Sequence, residues 1–478
     1  MSAAEELMAH DLYDQAQLVR DRAVSPRELV AAAIQRLQAG RELNVLVDEQ
    51  FEQALAAADR VRMPGDRSER PLAGVPFVLK DLGEPQAGRP ERMGCRALRE
   101  HVAQATAWTV HRYEEAGLII CGRTNTPEFG NHCATEPALS GPTLNPWNRS
   151  VSPGGSSGGS AVAVAARLVA AGSGGDGTGS IRMPAACCGV VGLKPRRGRS
   201  SGAPGAGQSL DGLAVRHALT RTVRDSALLL DVVAGEILGD PYTAPPPPRP
   251  FAEAANAGPG RLRILNAERP PFPGAVDPAV QTVVDEVART LEDLGHHVSP
   301  GAVEIDAEAV RRSISVIHAA DNAVTLGWLR GLLGREPEPD ELEPVTWDMA
   351  RMGLELTAVD HASALDTMHA QSRLAARVFD RADVVLAPTL NVLPPAPGTL
   401  SVSRGSVDAF FDVEFSVTGW TALANATGWA AISLPLGEVD GLPVGIQLLA
   451  PEEDVLLGLA SQLETAMPWR GRLPPAGV

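Results

Sequence analysis

The chain predicts an α/β fold with a mixed central β-sheet covered on both faces by helices. Three observations carry that prediction. Residues 72–79 (LAGVPFVL), 384–389 (VVLAPT) and 430–437 (AAISLPLG) are short, nearly unbroken apolar runs, the pattern of strands buried on both sides. Segments with helix caps and helical apolar spacing lie between such runs. The order strand, helix, strand recurs along the chain.

The elements follow in order. Residues 11–60 read as two or three helices. Ser25-Pro26-Arg27-Glu28 starts one of them, with a serine cap, a proline in the first turn and a glutamate at the third position. Leu29, Ile34 and Leu37 supply its apolar stripe. The run 72–79 is a strand that ends at Lys80. Residues 107–116 form a helix stopped by Gly117, and LIICGRTNTPEFG (118–130) is a strand entering a loop. Residues 159–171 (GSAVAVAARLVAA) read as a tightly packed helix of small residues, and 189–193 (GVVGL) as a buried strand. Residues 241–260 are proline-rich and aperiodic, a surface crossing rather than a linker. A strand restarts at 261–266. Asp277-Pro278 caps a helix bearing Val280, Val283, Val284, Val287, Leu291 and Leu294, stopped by Gly295. Residues 440–450 are a turn and a strand. No internal repeat is present.

The length of 478 residues suggests about three domains of ordinary size, but large α/β enzymes run past that figure as one unit. We read residues 1–478 as one domain. It has N-terminal helices over 1–70, a catalytic core over about 71–240 and the crossing at 241–260. Pocket and remaining sheet segments occupy 261–478.

Composition excludes several classes. A net charge of −16 argues against nucleic acid as a direct partner, since phosphate binding needs a basic face. No uninterrupted apolar run reaches the ~18 residues of a membrane span. The acidic N-terminus lacks a signal pattern, so a cytoplasmic location is expected. The five cysteines include no CxxC pair and no zinc spacing, so no metal is expected. Adjacent Cys187 and Cys188 read as small packed hydrophobes.

Chemistry concentrates in residues 152–195. Ser180 follows Asp176-Gly177-Thr178-Gly179. Glycines let several backbone N–H groups converge on one point and leave room for a carbonyl, and each such donor is worth roughly 10²–10³ in rate. Ser180 is therefore the candidate nucleophile, with an oxyanion hole from Gly177, Thr178, Gly179 and Ser180. The ten histidines are scattered away from these serines. Lys80 is the better base, because an apolar setting favours the neutral amine. The neutral amine can take a proton through Ser156 in GGSSGG if that hydroxyl bridges the two. Asp176 and Arg182 are expected to pair and hold the loop, with Ser157 as further support.

Blander readings stand beside these. GGSSGG alone is more often a plain turn, and a lone lysine more often snorkels or pairs. Gly154-Gly155-Ser156-Ser157-Gly158 formally matches a nucleophile elbow, but no strand precedes it. Gly172-x-Gly174-x-x-Gly177 matches a dinucleotide fingerprint without the context such a site needs. Trp328, Trp347 and Trp420 read as core or pocket wall.

On these residues the chain resembles the amidase signature family, over most of its length, from the N-terminal helices to DGLPVGIQ (440–447). The resemblance implies an α/β amidase that hydrolyses amides, anilides or carbamates through a Ser–cis-Ser–Lys triad and an acyl-enzyme. The nucleophile falls on Ser180 in GSIRMPA, the bridging serine on Ser156 and the lysine on Lys80. The two serines are 24 residues apart, as the family spacing requires. The chain departs from the family at Thr178, where a second glycine is usual. A β-branched side chain there restricts the backbone beside the oxyanion donors. GRTNTPEFGNHCATEP (122–137) and Trp347-Asp348-Met349 resemble bacterial hydrolases of nylon-type amide oligomers, with aryl acylamidases and urethane-cleaving amidases similar in pattern. By that likeness Asn131 and His318 contact substrate, although a histidine on a helix is more often a satisfied, partly buried one. The resemblance implies a small-molecule amide or carbamate substrate, no cofactor, and a monomer or homodimer. Its alternative is the amidase subunit of a glutamine-dependent amidotransferase, which would need ATP and partner subunits. Specificity is expected from residues 311–350 and 400–430.

Overall fold

The computed structural model describes residues 2–61, 70–401 and 406–475. Parts of three expected regions, 1–70, 261–478 and 400–430, therefore lie outside the described residues. The strands are β1 (Leu46–Glu49), β2 (Pro76–Lys80), β3 (Ile119–Thr124), β4 (Ala171–Asp176), β5 (Val191–Lys194), β6 (Val215–Thr220), β7 (Arg263–Ala267), β8 (His297–Gly301), β9 (Val384–Pro388), β10 (Ala430–Val439) and β11 (Leu442–Ala450). Among the described residues these eleven form one sheet in the order β1-β3-β2-β4-β6-β5-β10-β11-β9-β7-β8. Pairing is mixed. β2 runs parallel to β3 and β4, while β4 with β6 and β10 with β11 are antiparallel.

Side chains alternate across this sheet, and the alternation divides the core in two. Ile264, Val384, Leu386, Ile446 and Leu448 face one layer, against Val280, Val284 and Val287 of the helix Pro278–Asp293. Leu265, Val385, Ala387 and Leu449 face the other, against Val310, Ile314 and Ile317 of the helix Ala307–Leu333. Both faces are covered, as the continuous apolar runs predict.

The caps form as read. Ser25 and Glu28 make a reciprocal capping box at the helix Pro26–Ala39, which buries Leu29, Ile34 and Leu37. Asp277 accepts from the N–H of Ala279, and the chain leaves that helix through Gly295 at φ +93°.

Three expectations need correction. The helix read over 159–171 is Gly158–Ala165, and β4 begins at Ala171. β4 is AGSGGD, which has no β-branched residue to mark it. Packing explains its composition: a Cβ on Gly172 would fall 2.9 Å from Val78 Cγ2, and one on Gly174 2.9 Å from Leu219 Cδ1. The crossing 241–260 contains the short helix Phe251–Asn256, whose first two N–H groups donate to Asp231. Trp420 is core, but Trp328 is 41% exposed. No helix among the described residues is long and apolar enough to cross a membrane.

Candidate active site

Strand β2 delivers Lys80 to the interior. Its backbone N–H donates to Ser173 Oγ of β4 at 2.8 Å, tying the strand end across the sheet. Its ammonium end meets Ser156 Oγ at 2.6 Å. Lys80 is 1% exposed, and burial pushes its pKa down to about 7. Glu84 and Asp176 act against that shift, and Arg216 acts with it.

Ser156 follows a cis peptide bond after Gly155. The next residue, Ser157, joins the serine loops. Its N–H donates to Ser180 O at 3.1 Å, its hydroxyl donates to Gly175 O, and its Oγ accepts from Gly175 N–H. Gly130 packs on Ser156: at φ +73°, an added Cβ would lie 3.2 Å from Ser156 Oγ.

Ser180 is buried, at 7% exposure. Its hydroxyl makes no hydrogen bond among the described residues, so no direct bond closes the step from Ser156 to Ser180. The N–H groups of Thr178, Gly179 and Ser180 likewise donate to nothing among the described residues. Gly179 holds φ +136°, and a Cβ there would strike Thr421 Oγ1 at 2.5 Å. Thr421 Oγ1 in turn donates to Thr178 O at 2.7 Å.

Below this loop Asp176 and Arg182 pair through two bonds of 2.9 Å, both side chains fully buried. Burial alone would raise the Asp176 pKa, but the Arg182 guanidinium holds it down at about 2. Asp176 also accepts from Ile181 N–H and Asn425 Nδ2. Arg182 donates to Asn425 Oδ1, Gln447 Oε1 and Thr421 O. The Asp176–Arg182 pair expected from the sequence is therefore present. Thr421, Asn425 and Gln447 were not anticipated, because no local pattern joins residues about 240–265 positions apart.

The expected pocket residues lie together. Asn131 Nδ2 donates to Asn322 Oδ1 at 2.9 Å and to Thr346 Oγ1 at 3.1 Å. Asn322 Nδ2 donates to Asn131 Oδ1 and to the carbonyl of His318. The amide of Asn131 is thus engaged within the protein. His318 corrects the expectation of a satisfied histidine. It is buried edge-on against Phe411, and among the described residues its Nε2 has no partner. Burial lowers its pKa to about 4, so the ring is neutral at pH 7. Cys187 and Cys188 are buried and form no disulfide, and burial pushes the Cys187 thiol up to about 12. Among the described residues no cluster of three or more His, Cys, Asp or Glu could hold a metal ion.

Comparison with known proteins agrees with this architecture. The Amidase family profile matches residues 28–454. The 6-aminohexanoate-cyclic-dimer hydrolase of Paenarthrobacter ureafaciens is 36% identical over 480 residues, covering 97% of this chain and 96% of that enzyme. A solved structure of 6-aminohexanoate cyclic dimer hydrolase with its substrate superposes with a TM-score of 0.92 at 35% identity, covering 98% of this chain and 99% of that one. A bacterial aryl acylamidase of the amidase signature family superposes at 0.87 with 25% identity and 96% coverage of each chain. The chain belongs to the amidase signature family. It is a hydrolase of carbon–nitrogen bonds other than peptide bonds.

Proposed function

We propose that this enzyme cleaves amides, anilides or carbamates through an acyl-enzyme on Ser180, with Lys80 as base and Ser156 as relay. The carrying observation is the 2.6 Å contact between Lys80 Nζ and Ser156 Oγ, at a lysine whose burial favours the neutral amine. Neutral Lys80 takes the proton of Ser156 as Ser156 takes that of Ser180. Ser180 Oγ bonds to the substrate carbonyl carbon, and the open N–H groups of the 177–180 loop receive the oxyanion. The proton returns from Lys80 through Ser156 to the leaving nitrogen as the C–N bond breaks. Water then repeats the cycle on the acyl-enzyme.

Asp176, Arg182 and Ser157 hold the loop in this scheme. The unpaired Nε2 of His318 is a pocket group for substrate, and Asn131 acts on the same pocket through Asn322. The chain works as one catalytic domain, as a monomer or homodimer. Amide oligomers of the 6-aminohexanoate type are the first substrates to test, since the relatives at 35–36% identity act on a cyclic dimer of that kind. Those relatives are named hydrolases, so the amidotransferase-subunit reading is not favoured.

The test is turnover of a panel of primary amides, anilides, carbamates and amide oligomers by the purified chain. Ser180→Ala and Lys80→Met are expected to lose turnover while keeping the wild-type circular dichroism. A serine-directed phosphonate should label Ser180 in the wild type. Full activity in either variant would overturn the assignment.

A further inference from the structure

Glu84 is a buried carboxyl for which the reaction scheme above has no use. It lies four residues beyond Lys80, past a reversal at Gly83 with φ +73°. It is 1% exposed. One oxygen takes a short hydrogen bond from Ser173 Oγ, and the other faces the Thr109 hydroxyl at 3.5 Å. Ser173 Oγ already accepts the backbone N–H of Lys80 at 2.8 Å, so its own proton is directed to Glu84. One serine therefore binds the lysine backbone and the carboxyl together.

The surroundings define the electrostatics. Lys80 on β2, Arg123 on β3 and Arg216 on β6 are the cations that act on Glu84. Tyr113, from the helix Trp108–Glu115, also faces it. Arg123 donates to the Glu84 carbonyl at 3.0 Å but spends its Nε on Asp81. Arg216 is shared with Glu91. On the other side, Asp176 of β4 acts on Lys80. Burial pushes Glu84 up to about 7, and the three cations and the Ser173 hydroxyl all work to keep it ionised.

We propose that Glu84 is a positioning residue whose carboxylate, held by Ser173 behind Lys80, is the counter-charge for the ammonium that Lys80 becomes during turnover. The proposal rests on Lys80 being the base. The proton that leaves Ser180 travels through Ser156 to Lys80 Nζ and returns to the leaving nitrogen. Glu84 takes no part in the relay of that proton and changes no bond. It stabilises the charged intermediate form of the lysine, which an apolar pocket alone would oppose.

The experiment is the pH profile of kcat/KM for Glu84→Gln, read on the full-length enzyme. Glutamine keeps the length and the acceptor for Ser173 but removes the charge. The acid limb is expected to move to lower pH by about one unit, as loss of a nearby opposite charge requires. kcat on the alkaline plateau should fall about tenfold, matching that unit, with little change in KM. Glu84→Asp keeps the charge and should return the acid limb toward the wild-type position. Should Glu84→Gln not fold, Glu84→Met fills similar volume without polar demand and is read the same way. An acid limb that stays in place or moves upward in the uncharged variant overturns the proposal. Lys80→Met is run beside it. Turnover by Lys80→Met would overturn the base assignment itself, whereas an inactive Lys80→Met beside an unmoved limb overturns only the role of Glu84.

Discussion

Lys80 shows how burial creates chemistry at a single residue. An exposed lysine is an ammonium at neutral pH and cannot accept a proton. In the interior, desolvation brings its pKa to about 7, so much of the population is neutral at physiological pH. The sign for activity follows. Below about pH 7 Lys80 is protonated and the proposed base is lost, so under that proposal kcat/KM should rise through that pH to a mildly alkaline plateau. A profile highest near pH 5 would contradict the assignment. This residue was legible because the apolar run 72–79 ends on it. Glu84 was not, because a carboxyl in a polar stretch carries no mark of burial. Only the fold shows that Ser173 of β4 binds it beside the Lys80 backbone. His318 was legible as a position, but the unmatched Nε2 depends on what the helix faces, which no local pattern reports.

At the scale of elements, the Asp176–Arg182 pair is a clamp. Asp176 ends β4 and Arg182 opens the helix Arg182–Cys188, so together they set the span that contains Ser180. Arg182 then reaches the helix Thr421–Thr427 and β11. Breaking a buried pair leaves an uncompensated charge, at a cost of about 3–5 kcal/mol. Asp176→Ala is expected to lower stability by about that amount and to reduce kcat with it. Chemical denaturation gives the stability directly. A midpoint equal to the wild type would show that the clamp is not structural. The capped helices at Ser25 and Asp277 were readable because caps are local chemistry. β4 was misread because its glycines answer to Val78 and Leu219 across the sheet rather than to strand propensity.

The whole molecule adds a pH dependence of stability through its buried carboxyls. Glu414, on the helix Val407–Thr418, accepts the Cys133 N–H at 2.8 Å and has a pKa pushed by burial from 4.5 to about 7, against the pull of His132 and that N–H. A raised carboxyl pKa means that the folded state holds a proton the unfolded chain has released. Its contribution is complete below pH 4.5 and is lost as pH rises through about 7. Between those values the Tm of Glu414→Gln should therefore fall less steeply with pH than the wild-type Tm. Parallel slopes would remove Glu414 from the account.

The sequence by itself determined the α/β class, the helix starts at Ser25 and Asp277, and the choice of Ser156, Ser180 and Lys80 as candidates. Each is encoded in a short window, by apolar runs, caps or glycine-rich turns. Tertiary structure alone decided that Lys80 meets Ser156, that Ser180 is gripped through Asp176 and Arg182 from the helix Thr421–Thr427 and β11, and that Ser173 joins the Glu84 carboxyl to the Lys80 backbone. Those contacts join distant segments through one sheet. Their strength comes from the exclusion of water, which no stretch of chain possesses until the rest has packed around it.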